Sequence, residues 1–122
     1  MLHVEVNEQA SLAILTPQGT LSEADFAAAR RIIDPLIAQT GGLRGIIIHA
    51  ERFPGWDSLS AMMSHLQFVH DHHRKLDKVA IATDSPIGSA LQGLAQHFIA
   101  AQVRSFAYDE IAQAKAWISG PA

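Results

Sequence analysis

The first residues alternate. Leu2, Val4 and Val6 are separated by His3, Glu5 and Asn7, the period-two pattern of a strand with one buried face. Asn7 to Ala10 is polar enough to turn, and Leu12 to Thr16 (LAILT) predicts a second, more buried strand, so the pair should form an antiparallel hairpin. Pro17 and Gly19 then punctuate the chain. Ser22 is placed as a helix N-cap, with Asp25 three residues on and Leu21 and Phe26 flanking it as a hydrophobic staple. The helical spacing continues to Ile32, Ile33, Leu36 and Ile37. Pro35 lies within it and predicts a kink or a late break, and Gly41-Gly42 ends the segment.

Leu43 to Ala50 (LRGIIIHA) is an almost unbroken apolar run, as expected of a central parallel strand covered on both faces. A helix is predicted from about Asp57 to Arg74, with Leu59, Met62, Met63, Leu66 and Val69 as its core stripe. At ~100° per residue, His65, Phe68 and His72 fall on the opposite, outer face, and His70 and His73 continue the core side. Lys78 to Thr83 reads as another buried strand. Ser85 and Pro86 start a further helix whose apolar face holds Ile87, Leu91, Leu94 and Phe98, weakened by Gly88 and Gly93. Gln102 to Tyr108 is a last strand. Asp109 is expected to cap a closing helix with Ile111, Ala114, Trp117 and Ile118 turned inward.

The order β-β-α-β-α-β-α-β-α predicts an α/β fold: one mixed, mostly parallel sheet with flanking helices, formed by a single domain over residues 1–122. Composition agrees with an ordinary globular core, at 48% hydrophobic and 17% charged residues. A net charge of −3 and a pI near 6.1 carry no electrostatic footprint for nucleic acid. Cysteine is absent, which excludes disulfides, thiolate metal sites and cysteine nucleophiles within the chain. The first residues lack a secretory pattern and no apolar run reaches ~18 residues, so a cytoplasmic location is expected, with peripheral membrane contact left open.

Three stretches together resemble a known family. They are "GTLSEADF" at the entry to the first helix, "RFPGW" after the central strand and the ending "AQVRSFAYDEIAQAKAWI". With the order of elements, they resemble the STAS fold of anti-sigma-factor antagonists and, within it, the SpoIIAA-like (STAS/SEC14-like) family. The resemblance covers essentially the whole chain. It implies a binding module related in fold to lipid-carrying SEC14 domains and does not imply a reaction; no cofactor is expected.

The candidate chemistry gathers in "FPGWDSLS", Phe53 to Ser60. The resemblance places Asp57-Ser58 near the switch serine of antagonists, which makes Ser58 a candidate for phosphorylation at a helix N-terminus. The inserted "ERFPGW" and the lack of a following glycine depart from that pattern, and a plain N-cap explains both residues. A serine hydrolase would need a nucleophile elbow and an assignable base, and neither is found. For a metal, His70 and His73 are the candidates, without a third ligand at useful spacing. In parallel sheets ligands sit beyond the carboxyl ends of the strands. Phe53, Trp56, Met62, Ile87 and Leu91 are expected to line a site there for a small apolar or amphipathic ligand. Asp57, Ser58, Asp84 and Ser85 would frame its polar end. An outward Phe68 would suit a membrane surface or self-association as a homo-oligomer. The leading expectation is thus a non-enzymatic binding module, the alternative a protein-interaction module switched at Ser58.

Overall fold

The computed structural model describes residues 1–52, 71–84 and 101–121, together with Ser64, His65 and Phe68. Its centre is a five-stranded sheet in which spatial order follows chain order. Strand β1 (Leu2–Asn7) pairs antiparallel with β2 (Leu12–Pro17), as the alternation predicts. The turn between them is held by the Ala10 N–H donating to Asn7 Oδ1 at 3.0 Å, with Ser11 in the left-handed region at φ 54°. Strands β3 (Leu43–His49), β4 (Leu76–Ala82) and β5 (Gln102–Phe106) continue parallel to β2, in a register that sets Ile14 beside Ile47 and Ile47 beside Ala80.

Helix α1 (Glu23–Thr40) begins on the expected capping box. Ser22 Oγ accepts from the Asp25 N–H at 3.3 Å, and Asp25 Oδ2 accepts from the Ser22 N–H at 2.8 Å. Gly41 closes the helix in the left-handed conformation, φ 85°, with its N–H donating to the Ile37 carbonyl. The helix runs unbroken through Pro35, so of the expected kink or late break the break does not occur. Capping at both ends and burial of Phe26, Ala29, Ile33 and Leu36 offset the ~3 kcal/mol that an interior proline costs.

Parallel strands added one after another in the same direction, each by a right-handed crossover, send all their connections over one face of the sheet. The core on the α1 face contains Ala13, Leu15 and Ile46 from the strands, Phe68 from the β3–β4 connection and Ala101 from the end of the β4–β5 connection. The opposite face is left to the chain after β5. There α2 (Ile111–Ser119) lies over Leu12, Ile47, Ala80 and Ala82, burying Ala114 and Ile118, with Ile111 and Trp117 partly buried beside them. The predicted inward face of this helix is the observed one. Its cap is not. Glu110, not Asp109, occupies the N-cap position, and the Glu110 carboxylate turns back to accept from the Ala107 N–H at 2.8 Å rather than from the helix.

The β3–β4 connection holds a second correction. Ser64, His65, Phe68, Asp71 and His72 are helical, followed by a single 3₁₀ turn (His73–Lys75). Phe68 and His72 do not face outward. They are 6% and 5% exposed, and His65 is partly buried with its ring stacked on Phe26 at 4.9 Å. Phe26, on α1, lies 6.3 Å from Phe68, so the face expected to meet solvent packs against α1. A period locates an apolar stripe, but a second covered face, made by rings rather than aliphatic residues, does not show in it. Phe68 therefore presents no outward ring to a membrane or a second subunit.

Candidate functional site at the carboxyl edge of the sheet

The parallel strands end at His49, Ala82 and Phe106, and the chain just beyond each end is tied to its neighbours. The Ala50 N–H donates to the Ala82 carbonyl at 3.1 Å and the Thr83 N–H to the Phe106 carbonyl at 3.0 Å, extending the ladder past the strands. Glu51 binds the next turn through its carbonyl, which accepts from the Asp84 N–H at 3.1 Å and from Thr83 Oγ1 at 3.2 Å. Across the edge, Asp84 Oδ1 accepts from the Tyr108 N–H at 3.0 Å. Three segments far apart in sequence thus form one rim, with its backbone polar groups paired as a partly buried edge requires.

Two rings stand on that rim. His49 and Tyr108 stack with centroids 4.3 Å apart and planes 14° from parallel, both half-buried. His49 Nε2 lies 2.9 Å from the Tyr108 carbonyl oxygen. A carbonyl oxygen can only accept, so Nε2 carries the hydrogen and a neutral ring presents its lone pair at Nδ1. Glu51, Arg52 and Asp84 are exposed beside them. The rim offers a flat aromatic surface next to charges of both signs, suited to a ligand with an apolar body and a polar end.

Of the residues predicted to form the site, Asp84 is at this rim, where its carboxylate also fastens the β5–α2 turn. Phe53, Trp56, Asp57, Ser58, Met62, Ser85, Ile87 and Leu91, and the side chains of His70 and His73, lie outside the described residues. Among the described residues no group of three or more histidines and carboxylates could hold a metal ion, and no helix is long and apolar enough to cross a membrane. His49 and Tyr108 were not anticipated. Their sequence signal was position alone: each closes a run, LRGIIIHA and QVRSFAY, at the end where parallel sheets place ligands.

A crystal structure of an uncharacterized protein from the DUF3478 family of Shewanella loihica PV-4, with a SpoIIAA-like fold, is similar to this chain with a TM-score of 0.73 at 17% identity. The similarity covers 97% of this chain and 92% of that one. At that identity the likeness is one of fold. No curated protein matches the chain. A family model described as SpoIIAA-like matches residues 12–119, from β2 through the end of α2. The chain belongs to the SpoIIAA-like family.

Proposed function

We propose that this chain is a non-enzymatic STAS-type binding module that takes a small apolar or amphipathic ligand at the carboxyl edge of its parallel strands. The observation that carries the reading is the stacked His49–Tyr108 pair on a rim where β3, β4 and β5 are bonded end to end. Such a rim is preorganised, so little is lost in ordering it when a ligand docks. The sequence that follows the rim on either side carries Phe53, Trp56, Met62, Ile87 and Leu91, which would complete an apolar lining.

The test is titration of the intact protein with a fluorescent fatty acid and, separately, a lysophospholipid, monitored by the ring resonances of His49 and Tyr108. Saturable binding that shifts both rings, and that Tyr108→Ala weakens by about tenfold, supports the reading. Native mass spectrometry of the purified protein should also show a co-purifying amphiphile. Unmoved rings together with a consistently empty protein would overturn it. The alternative, an interaction module switched at Ser58, is separated by Ser58→Glu, which alters partner binding only under that alternative. Flotation with vesicles distinguishes capture of a free amphiphile from adsorption on a membrane surface.

A further inference from the structure

Where α1 meets the β3–β4 connection, rings follow one another: His65 on Phe26, Phe26 beside Phe68, and Phe68 stacked on His72 at 4.2 Å. His72 ends this run with both nitrogens engaged. Nδ1 lies 2.7 Å from the Phe68 carbonyl oxygen and Nε2 lies 2.5 Å from Asp34 Oδ1 on α1. Both of these oxygens only accept, and a neutral ring has one hydrogen to give, so a neutral His72 can serve one of them but not both. The two contacts are made together only when both ring nitrogens carry a hydrogen, which makes the bond to Asp34 a short, charge-assisted one.

We propose that His72 and Asp34 form a proton-operated latch between α1 and the helical turn that leads into β4. With the proton the latch is closed, and as pH rises and the proton leaves, two acceptors compete for one ring hydrogen and one of the two contacts is lost. The exposures decide which partner moves. His72 is 5% exposed and wedged against Phe68, whereas the Asp34 side chain is 50% exposed and can rotate into water.

Among the described residues, the charged and titratable groups around the latch are few. Arg30 and Asp34 come from α1; His65 and Asp71 come from the helical turn itself. Arg30 pairs with Asp71 at 2.9 Å and lies 5.7 Å from the Phe68 ring centroid. This second tie involves neither His72 nor Asp34, so it persists when the latch opens. Opening is therefore a local loosening around His72 and the 3₁₀ turn (His73–Lys75), not detachment of the segment.

The experiment follows the ring nitrogens of His72 in the intact, ¹⁵N-labelled chain from pH 5 to pH 9, with amide-exchange protection at Asp71, His72 and Arg74 corrected for intrinsic rates. Both nitrogens should be of the protonated type at the acid end. Protection should fall about tenfold as the second proton is lost. In Asp34→Asn the amide can donate to a neutral Nε2, so protection there should vary less than about twofold across the range. A wild-type ring with one protonated nitrogen throughout and unchanging protection would overturn the latch. So would a loss of protection that persists undiminished in Asp34→Asn. If that variant does not fold, the wild-type ring signals decide alone.

Discussion

Lys78, on β4, donates from its ammonium to the carbonyl of Trp117 on α2 at 2.7 Å, closing the end of a helix that has no basic residue in its own last turn. The same ammonium reaches the Pro121 carbonyl at 2.9 Å and lies 5.2 Å from the Trp117 ring centroid. From β3, Arg44 donates to the carbonyls of Ser119 and Gly120, both at 3.1 Å. The last carbonyls of a helix need partners and its C-terminus favours positive charge. Here both needs are met from the sheet beneath.

Lys78→Met should remove two charge-assisted hydrogen bonds while keeping the buried stem, costing about 2–3 kcal/mol. Urea unfolding should show a lower midpoint with an unchanged slope. Lys78 is 3% exposed, so water cannot readily replace its ammonium. Arg44→Ala, at an exposed position, should cost less, about 1 kcal/mol. Equal losses would show that the cap does not depend on burial.

Gly45 lets α2 approach the sheet. A Cβ there would lie 2.6 Å from Ile118 Cγ2 and 2.9 Å from the Lys78 carbonyl oxygen. Gly45→Ala should therefore destabilise by about 1–3 kcal/mol through overpacking. Adding Ile118→Ala should cost less than the sum of the two changes, because the clash is shared. Strict additivity in the double-mutant cycle would contradict this contact.

Burial holds the His65 imidazole below its ordinary pKa of 6.5. The unfolded chain then binds a proton at a pH where the folded chain does not. Stability is full above about pH 6.5 and is lost as pH falls through the depressed folded value. His65→Phe, which keeps a ring against Phe26, should flatten this acid limb in melting temperatures recorded from pH 7.5 to pH 5. An equally steep limb in the variant would assign the effect to other groups.

The capping box should be separable from the rest of α1. Asp25 is subject to burial, which raises its pKa, but the Ser22 N–H and hydroxyl and the terminal ammonium outweigh it and hold the carboxyl below its usual range. Ser22→Ala should cost about 1 kcal/mol near neutral pH. Below the Asp25 pKa the reciprocal carboxylate bond is lost as well, so the penalty for Ser22→Ala should shrink in acid. A penalty that stays constant through the titration of Asp25, followed by its carboxyl resonance, would mean that the two bonds act independently.

The features legible in the sequence share a local cause. Alternation in Leu2–Asn7, the spacing from Ser22 to Asp25, the glycine after Thr40 and the period that turns Ala114 and Ile118 inward depend on residues a few positions apart. The sequence by itself therefore determined the hairpin, the first helix, the buried runs of β3 and β4 and the inward face of α2, and with them the family resemblance. Contacts between distant segments left no such period. Lys78 reads as a charge at the edge of an apolar run, and only the strand register sets it under the end of α2. Phe68 and His72 occupy what a single helix would make its outer face, and only α1, with Phe26 and Asp34, buries them. His49 and Tyr108, 59 residues apart, meet because β3, β4 and β5 lie side by side and end at one edge. Periodicity reports which way a side chain points relative to its own element, and tertiary packing alone decides what stands opposite.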